Sequence, residues 1–164
     1  MADLVTHLAT VLLPAALLRR PRGTGLAAVG VVLPDAASRV PSLLLETLNA
    51  RAMALPEWMF WPWGVLHEPI GALLLCAVVA GRFVPKDRLR AMFALGLGTC
   101  AHTALDLIQD HHGQGYYLFA PISMFRFEFG WIGSEASVWG ALPLAALTAL
   151  VWWLRPPSVQ GKAW

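Results

Sequence analysis

Residues 91–109, AMFALGLGTCAHTALDLIQ, form an apolar stretch that carries two ionisable side chains in its second half. A hydrocarbon core of about 30 Å requires roughly 20 helical residues, and this stretch has about that length. His102 and Asp106 are four positions apart, so a helix would place them on the same face. The stretch therefore predicts a transmembrane helix with a polar pair on one side.

The composition of the whole chain is typical of a membrane protein. Of its 164 residues, 57% are hydrophobic and 13% are charged, which is about half the charged fraction of a soluble domain. The length suits a single transmembrane domain, which we place at 1–155, with a short cytoplasmic tail at 156–164. The net charge is +2 and no basic run alternates with aromatic residues, so nucleic acid is not an expected partner. Cys76 and Cys100 lie in apolar stretches and are expected to be small buried hydrophobes.

Four apolar stretches predict transmembrane helices, at about 3–18, 59–80, 91–109 and 137–154. A fifth, at about 24–45, opens with the apolar run GLAAVGVVLP and is then interrupted by Pro34, Asp35, Ser38, Arg39 and Pro41. This pattern predicts a discontinuous or re-entrant helix, which lipid tolerates only where protein or a cavity covers the exposed backbone. The expected fold is an all-α polytopic membrane bundle of about five spans, the second of them broken or re-entrant.

The basic residues predict the orientation of these spans. A signal peptide carries its positive charges before the apolar segment, whereas Arg19, Arg20 and Arg22 follow it, so the first span is expected to be retained. Further basic residues lie in the loop before residue 91 and after the last span: Arg82, Lys86, Arg88, Arg90, Arg155 and Lys162. Because loops rich in lysine and arginine stay cytoplasmic, we expect the N-terminus outside and the C-terminus in the cytoplasm.

On this topology five of the ionisable residues in the spans lie at one depth, on the extracytoplasmic side. They are His7, Asp35, His67, His102 and Asp106. A charged side chain at the bilayer centre costs on the order of 3 kcal/mol, so such groups must pair, line a wet cavity or bind a metal. Imidazole and carboxylate on one helix face are common ligands of zinc and other divalent ions. The pattern therefore predicts a metal site that opens outward.

Each of these residues has a simpler interpretation when it is taken alone. His7 could be a hydrogen-bond partner between helices, and Asp35, which follows a proline, could cap a broken helix. Glu68 could be a carboxylate at a helix start, and His111 and His112 could be solvated groups at a helix end. The convergence at one depth is what favours the metal site.

Several short motifs occur along the chain: THL at 6–8, VLPD at 32–35, His67 before a short apolar run, GTCAHTALD at 98–106, and YLFAPIS with RF within 117–127. In this order they resemble the YdjM-like family of bacterial inner-membrane proteins, described as membrane-bound metal-dependent hydrolases. The resemblance runs over about residues 6–140 and implies the same location for this chain. Two positions depart from the family pattern, since Ala37 replaces a second aspartate and Pro62 the first histidine of an HRGxTHS motif.

The order of these residues is also similar to that in the zinc-dependent phospholipase C and P1-nuclease group. The similarity implies a first metal with four ligands, Asp35, His67, His102 and Asp106. Asp106 would bridge to a second metal that His7 also binds, and His112 is the nearest match to a later histidine ligand. One or two divalent ions are therefore expected, with zinc favoured over manganese or magnesium.

The function expected from these residues is hydrolysis of a phosphoester-type bond in a lipid-linked substrate reached from the outer leaflet. A divalent ion would activate water and polarise the phosphoryl oxygen. Glu68 and Asp110 are candidate general bases or carboxylates that orient a histidine; Asp110 continues the face of His102 and Asp106 by one turn. Arg126 is a candidate for binding the substrate phosphate.

Two alternative functions remain open. One is a transporter or ion-conducting protein, although the segments ALGLG and LTALVWWL of the inner halves of two spans carry no ionisable residue. The other is a catalytically silent scaffold subunit whose polar residues only hold helices together, an interpretation that the departures at Ala37 and Pro62 keep open.

Overall fold

The computed structural model describes residues 4–18, 23–53, 55–112 and 115–154, which are mostly helical. Six α-helices follow one another in the described residues: α1 (Leu4–Leu17), α2 (Thr24–Leu48), α3 (Trp61–His67), α4 (Pro69–Gly81), α5 (Pro85–Ile108) and α6 (Ser134–Trp153). A π-helical turn (Asn49–Met53) extends α2, and a 3-10 turn (Glu57–Met59) precedes α3. The helical class predicted from the sequence is confirmed. The predicted tail at 156–164 lies outside the described residues, as do Arg19, Arg20, Arg22 and Arg155.

Helices α2 and α5 are both long and apolar enough to cross a membrane, and they pack extensively against each other. Their backbones approach closely at two glycines. A Cβ atom on Gly30 would lie 2.0 Å from the Leu95 carbonyl oxygen, and one on Gly98 would lie 1.9 Å from that of Ala27. Only glycine allows this approach, and small residues at helix interfaces are typical of bundles in lipid.

The predicted break in the second segment is wrong, because α2 continues through both Pro34 and Pro41. A proline lacks the N–H that would bond to the carbonyl four residues earlier, which for Pro34 is that of Gly30. Thr99 of α5 donates its hydroxyl to the Gly30 carbonyl oxygen at 2.9 Å, and Cys76 Sγ lies 3.1 Å from the same hydroxyl. The neighbouring helix thus replaces the hydrogen bond that the proline removes.

The break lies instead inside the third predicted span, 59–80. Helices α3 and α4 meet at a bend of 74°. Glu68 between them is extended, with φ −68° and ψ 152°, as expected for a residue before a proline. Gly71 makes the sharp bend possible, because a Cβ atom there would lie 2.0 Å from the Val65 carbonyl oxygen. The bend leaves His67 at the C-terminal end of α3.

The described residues contain two helices of membrane-crossing length, or three if α3 and α4 form one bent span. Helices α1 and α6 are apolar but shorter. They pack against each other, and the Trp152 indole N–H donates to the Leu12 carbonyl oxygen at 3.2 Å. Helix α5 starts at Pro85, six residues before the predicted span, so the basic residues of the preceding loop partly belong to its first turns.

The loop after α5 is held by two short β ladders. Strand β1 (Gln109–Asp110) pairs in parallel with β4 (Ile132–Gly133), and β2 (Tyr116–Tyr117) pairs antiparallel with β3 (Arg126–Phe127). Two-residue strands leave no periodic pattern in a sequence, so the all-α prediction does not contain them. Helix α5 ends at Ile108, and the backbone of Gln109 is extended. The prediction that Asp110 continues the face of His102 and Asp106 is therefore wrong.

The two cysteines have different environments. Cys76 is buried, as predicted, whereas Cys100 is exposed, so the prediction of a buried Cys100 is wrong. Position 100 shares a face of α5 with Phe93 and Leu97, which are 71% and 66% exposed. This apolar outer face is the one that would meet lipid.

Candidate metal centre

Five polar side chains from four helices meet at one end of the bundle. They are His7 of α1, Asp35 of α2, His67 of α3, and His102 and Asp106 of α5, and we refer to them as the five-residue cluster. His7, His102 and Asp106 are 1%, 1% and 3% exposed. The side chains of Asp35 and His67 are more accessible, each at 15%. The structure thus brings together the residues that the sequence places at one depth.

Asp106 contacts all three histidines of the cluster. Its Oδ1 atom lies 3.2 Å from Nε2 of His7. Its Oδ2 atom lies 3.1 Å from Nε2 of His102 and 3.7 Å from Nε2 of His67. His102 and Asp106 face the same way because they are one helical turn apart on α5, as the sequence predicts.

Asp35 contacts the rest of the cluster through His67. Its Oδ1 atom lies 3.3 Å from Nε2 of His67 and accepts a hydrogen bond from Nε of Arg39 at 2.7 Å. His67 Nε2 is in turn 3.2 Å from His102 Nε2. Since Asp35 lies inside a continuous α2, the interpretation of Asp35 as a helix cap is wrong. Arg39 is a further residue at the site, and its spacing of four from Asp35 is the signal in the sequence that points to it.

Ring stacking occurs within the cluster and between the cluster and Tyr116. The rings of His7 and His102 stack with centroids 4.1 Å apart, and the ring of Tyr116 stacks on that of His67 at 5.6 Å. Tyr116 comes from the loop after α5, and its hydroxyl lies 3.3 Å from Nε2 of His111. Burial, reinforced by the charge of Asp106, raises the pKa of Tyr116 above its ordinary range, so the hydroxyl stays a neutral donor. Sequence reasoning misses Tyr116 because its position depends on how the loop folds.

The donor atoms of the cluster have the spacing of a coordination sphere. Two overlapping groups, His7 with Asp35 and His102, and His67 with His102 and Asp106, each keep their donor atoms within 4.8 Å of one another. Ligands about 2.1 Å from a tetrahedral ion lie about 3.4 Å apart. The contacts of the second group span 3.1 to 3.7 Å and match this value. These residues can therefore hold a divalent metal ion.

Hydrogen bonds alone do not explain the same contacts. If His67 and His102 each used an Nε2 proton to reach a carboxylate, their own contact would bring two donors together. Asp106 Oδ2 is buried and has no well-oriented hydrogen bond within the described residues. A shared cation would satisfy all of these lone pairs at once and would balance the charges of Asp35 and Asp106.

Glu68 lies directly beside the cluster, next to His67 in the chain. It is close enough to interact electrostatically with both His67 and Asp106. Its Oε2 atom is buried without a hydrogen-bond partner in the described part of the chain. Glu68 occupies the N-cap position of α4, but its side chain makes no capping hydrogen bond. The contacts therefore relate Glu68 to the cluster more than to the start of α4.

Three other predicted site residues have no contact with the cluster among the described residues. Asp110 Oδ1 accepts a hydrogen bond from the backbone N–H of His112 at 2.7 Å, and His112 is exposed with φ 57°. Arg126 donates to the Tyr117 hydroxyl, and its guanidinium lies 4.7 Å from the centroid of that ring. Because α5 ends at Ile108, these residues do not continue the helix face that carries His102 and Asp106.

The neighbouring histidine, His111, is the one that faces inward. It is half-buried, and its Nδ1 atom lies 3.3 Å from Oε2 of Glu128. The same Glu128 oxygen accepts the backbone N–H of His111 at 3.0 Å. These contacts connect Glu128, which directly follows β3, to His111, which lies shortly after the end of α5. The connection helps to hold Tyr116 over the cluster.

No protein-family model, curated protein or solved structure matches this chain. The resemblance of its motifs to the YdjM-like family stays a prediction.

Proposed function

We propose that this protein is a membrane-embedded, metal-dependent hydrolase that cleaves a phosphoester-type bond in a lipid-linked substrate. The observation that carries the proposal is the convergence of three imidazole and two carboxylate side chains from four helices. Ionisable groups within membrane helices are costly and are usually retained for function. The resemblance of the motifs to a family of membrane-bound hydrolases agrees with this proposal.

The five-residue cluster would hold one or two divalent ions. Its nitrogen and oxygen donors favour zinc, with manganese or magnesium as alternatives. The carboxylates of Asp35, Asp106 and Glu68 are opposed by the single guanidinium of Arg39 among the ion pairs of the described residues, so a divalent ion would offset the remaining negative charge. When bound, such an ion acts as a Lewis acid and makes its coordinated water more acidic.

Glu68 is the best-placed residue to accept a proton from the attacking water. Its Oε2 atom has no hydrogen-bond partner in the described residues, and it lies within electrostatic reach of His67 and Asp106. The Glu68 carboxylate also accepts a backbone hydrogen bond from Tyr117. The Asp110 carboxylate accepts one from His112, but Asp110 has no contact with the cluster among the described residues. Tyr116, which packs on His67, can donate its neutral hydroxyl to an oxygen of the substrate.

The proposed topology has five crossings, with α3 and α4 as one bent span, the N-terminus outside and the C-terminus in the cytoplasm. His102 lies fourteen residues after Arg88 on α5, which is about 21 Å along the helix axis. If the basic end of α5 stays cytoplasmic, the cluster faces the outer leaflet of a bacterial inner membrane.

The loop after α5 supports contact with lipid at the end where the cluster lies. Phe119, Ile122, Met124 and Phe125 are 54%, 85%, 58% and 61% exposed. Exposed apolar and aromatic side chains of this kind suit the interface between lipid and water. A substrate held in the outer leaflet would then reach the cluster without leaving the membrane.

The activity can be tested with bis(p-nitrophenyl) phosphate, a chromogenic phosphodiester, and purified protein loaded with zinc, manganese or magnesium. We expect metal-dependent hydrolysis by the wild type. Glu68→Gln should retain bound metal and lose at least about 100-fold in rate, as for removal of a general base. Glu46→Gln, which alters an exposed carboxylate of α2 far along the helix from Asp35, should match the wild type. A wild type that binds metal and hydrolyses neither this diester nor p-nitrophenyl phosphate contradicts the proposed activity.

A further inference from the structure

Arg39 makes an ion pair with the five-residue cluster. Its Nε atom is 2.7 Å from Oδ1 of Asp35, and Nε2 of His67 is 3.3 Å from the same oxygen. The two contacts share one oxygen atom, so the guanidinium lies beside the imidazole ring. A ligand bound at His67 would therefore be within reach of Arg39.

The guanidinium of Arg39 is only partly used by the protein. A guanidinium offers five N–H donors, and within the described residues the Arg39 side chain forms one hydrogen bond, through Nε. The Arg39 side chain is 37% exposed, whereas that of Asp35 is 15% exposed. Arg39 thus stands at the accessible edge of the cluster with donors to spare.

A guanidinium beside the cluster would add to the attraction that a bound divalent ion exerts on an anionic substrate. The carboxylates of Asp35, Asp106 and Glu68 repel a phosphate group wherever a metal ion does not offset their charge, and a nearby guanidinium reduces that repulsion. A planar guanidinium matches two oxygens of a phosphate group, which makes arginine a common residue for phosphate recognition.

We infer that Arg39 is the residue that recognises a phosphate-type oxyanion at the edge of the five-residue cluster. The inference rests on the proposed function and assigns its substrate-anion contact. Sequence reasoning gives this role to Arg126, but that guanidinium donates to the Tyr117 hydroxyl and lies over the Tyr117 ring. The phosphate group has two possible sources, a lipid headgroup and a free phosphate in solution.

The test measures binding by calorimetry to purified, metal-loaded protein in detergent. The probes are inorganic phosphate for the free ion and dihexanoyl phosphatidic acid for the lipid headgroup. Metal content is measured on every sample. Arg39→Gln removes the donors, and Arg39→Lys keeps the charge beside Asp35 while losing the planar fork. Arg90→Gln, at an exposed position near the other end of α5, is the matched control.

We expect Arg39→Gln to weaken the binding of at least one probe by about tenfold or more, as for loss of a charge-assisted hydrogen bond. Arg39→Lys should retain the metal and bind less tightly than the wild type, and Arg90→Gln should bind normally. The probe that depends more strongly on Arg39 identifies the source of the phosphate.

Wild-type affinity for both probes in Arg39→Gln and Arg39→Lys would overturn the inference, as would a loss produced by Arg126→Gln alone. These results are separable from failure of the hydrolase proposal. Phosphate binding that depends on Arg39 in a protein without hydrolytic activity supports the anion site and contradicts the enzyme. Hydrolysis with binding independent of Arg39 does the reverse.

Discussion

Thr99 shows how one hydroxyl supports the site from a distance. It donates to the Gly30 carbonyl oxygen, which Pro34 leaves without its usual helical partner. Helix α2 therefore stays continuous through Pro34, and the next residue, Asp35, keeps its place beside His67. Thr99 is 1% exposed, so its hydroxyl must find a partner, and the freed carbonyl provides one.

Tyr116 is predicted to stay protonated when free tyrosine ionises. The chain has two tyrosines, so Tyr117→Phe leaves Tyr116 as the only phenol. Because burial and the charge of Asp106 raise the pKa of Tyr116, the folded, metal-free variant should show no phenolate absorbance near about pH 10, the ordinary range. Above that range Tyr116 loses its proton only in the unfolded chain. The free energy of unfolding should therefore fall as the pH rises.

An ultraviolet absorbance titration, followed by unfolding measurements at the same pH values, checks this expectation. Phenolate absorbance that develops at the ordinary pH in the folded variant would contradict the burial of Tyr116 against the cluster.

At the scale of the helices, α5 organises the site through its packing on α2. Gly98 meets the backbone of Ala27, where an added Cβ atom would lie 1.9 Å from the carbonyl oxygen. His102 is one turn further along α5, so the same contact sets how far its ring reaches toward α1 and α3. Close helix packing and metal-ligand geometry are therefore linked in this helix.

Gly98→Ala is expected to destabilise the protein by about 1–3 kcal/mol. The added methyl group would overlap the backbone of Ala27, which can move only if the two helices separate. Gly96→Ala is the control in the same helix, since its Cβ atom would meet only Leu73 Cδ2 at 3.9 Å. That variant should be neutral or more stable by up to about 1 kcal/mol, in line with helix propensity. Unfolding in mixed detergent measures both, and equal stabilities would contradict the close approach of α5 to α2.

The sequence predicts the elements better than it predicts their interruptions. The predicted bounds of the first span, 3–18, agree closely with α1, and the convergence of five residues follows from helix periodicity and depth. The position of the break does not follow from these patterns, because Pro34 and Pro69 both stand within apolar stretches and the neighbouring residues do not show which proline ends a helix. Thr99 of α5 supplies the hydrogen bond that Pro34 removes from α2. Gly71, in contrast, allows the sharp bend next to Pro69. Both effects are tertiary, as are the placements of Arg39 and Tyr116.

At the scale of the whole molecule, charge is distributed unequally between the two ends. Lys86, Arg88 and Arg90 outnumber Asp87 in the first turns of α5, and His102 and Asp106 lie near its C-terminal end. This asymmetry predicts that the cluster and the loop after α5 face the outside.

Cysteines introduced one at a time into a Cys100→Ala background test this orientation, because the exposed Cys100 is removed and the remaining Cys76 is buried. Gly133 is exposed and has no atom within 4 Å of an added Cβ, so Gly133→Cys should react with an impermeant maleimide on intact cells. Lys86→Cys, at the basic end, should react only after the membrane is opened. The reverse pattern would contradict the proposed topology.

Metal content is the most direct measurement on the five-residue cluster. Purified wild type and Glu46→Gln should each carry about one or two divalent ions per chain by mass spectrometry of the metal. Asp106→Asn should lose at least about tenfold in metal affinity, because Asp106 contacts all three histidines and the amide lacks the carboxylate charge. Stoichiometric metal in Asp106→Asn, or none in the wild type after loading with zinc, manganese or magnesium, would contradict the metal centre.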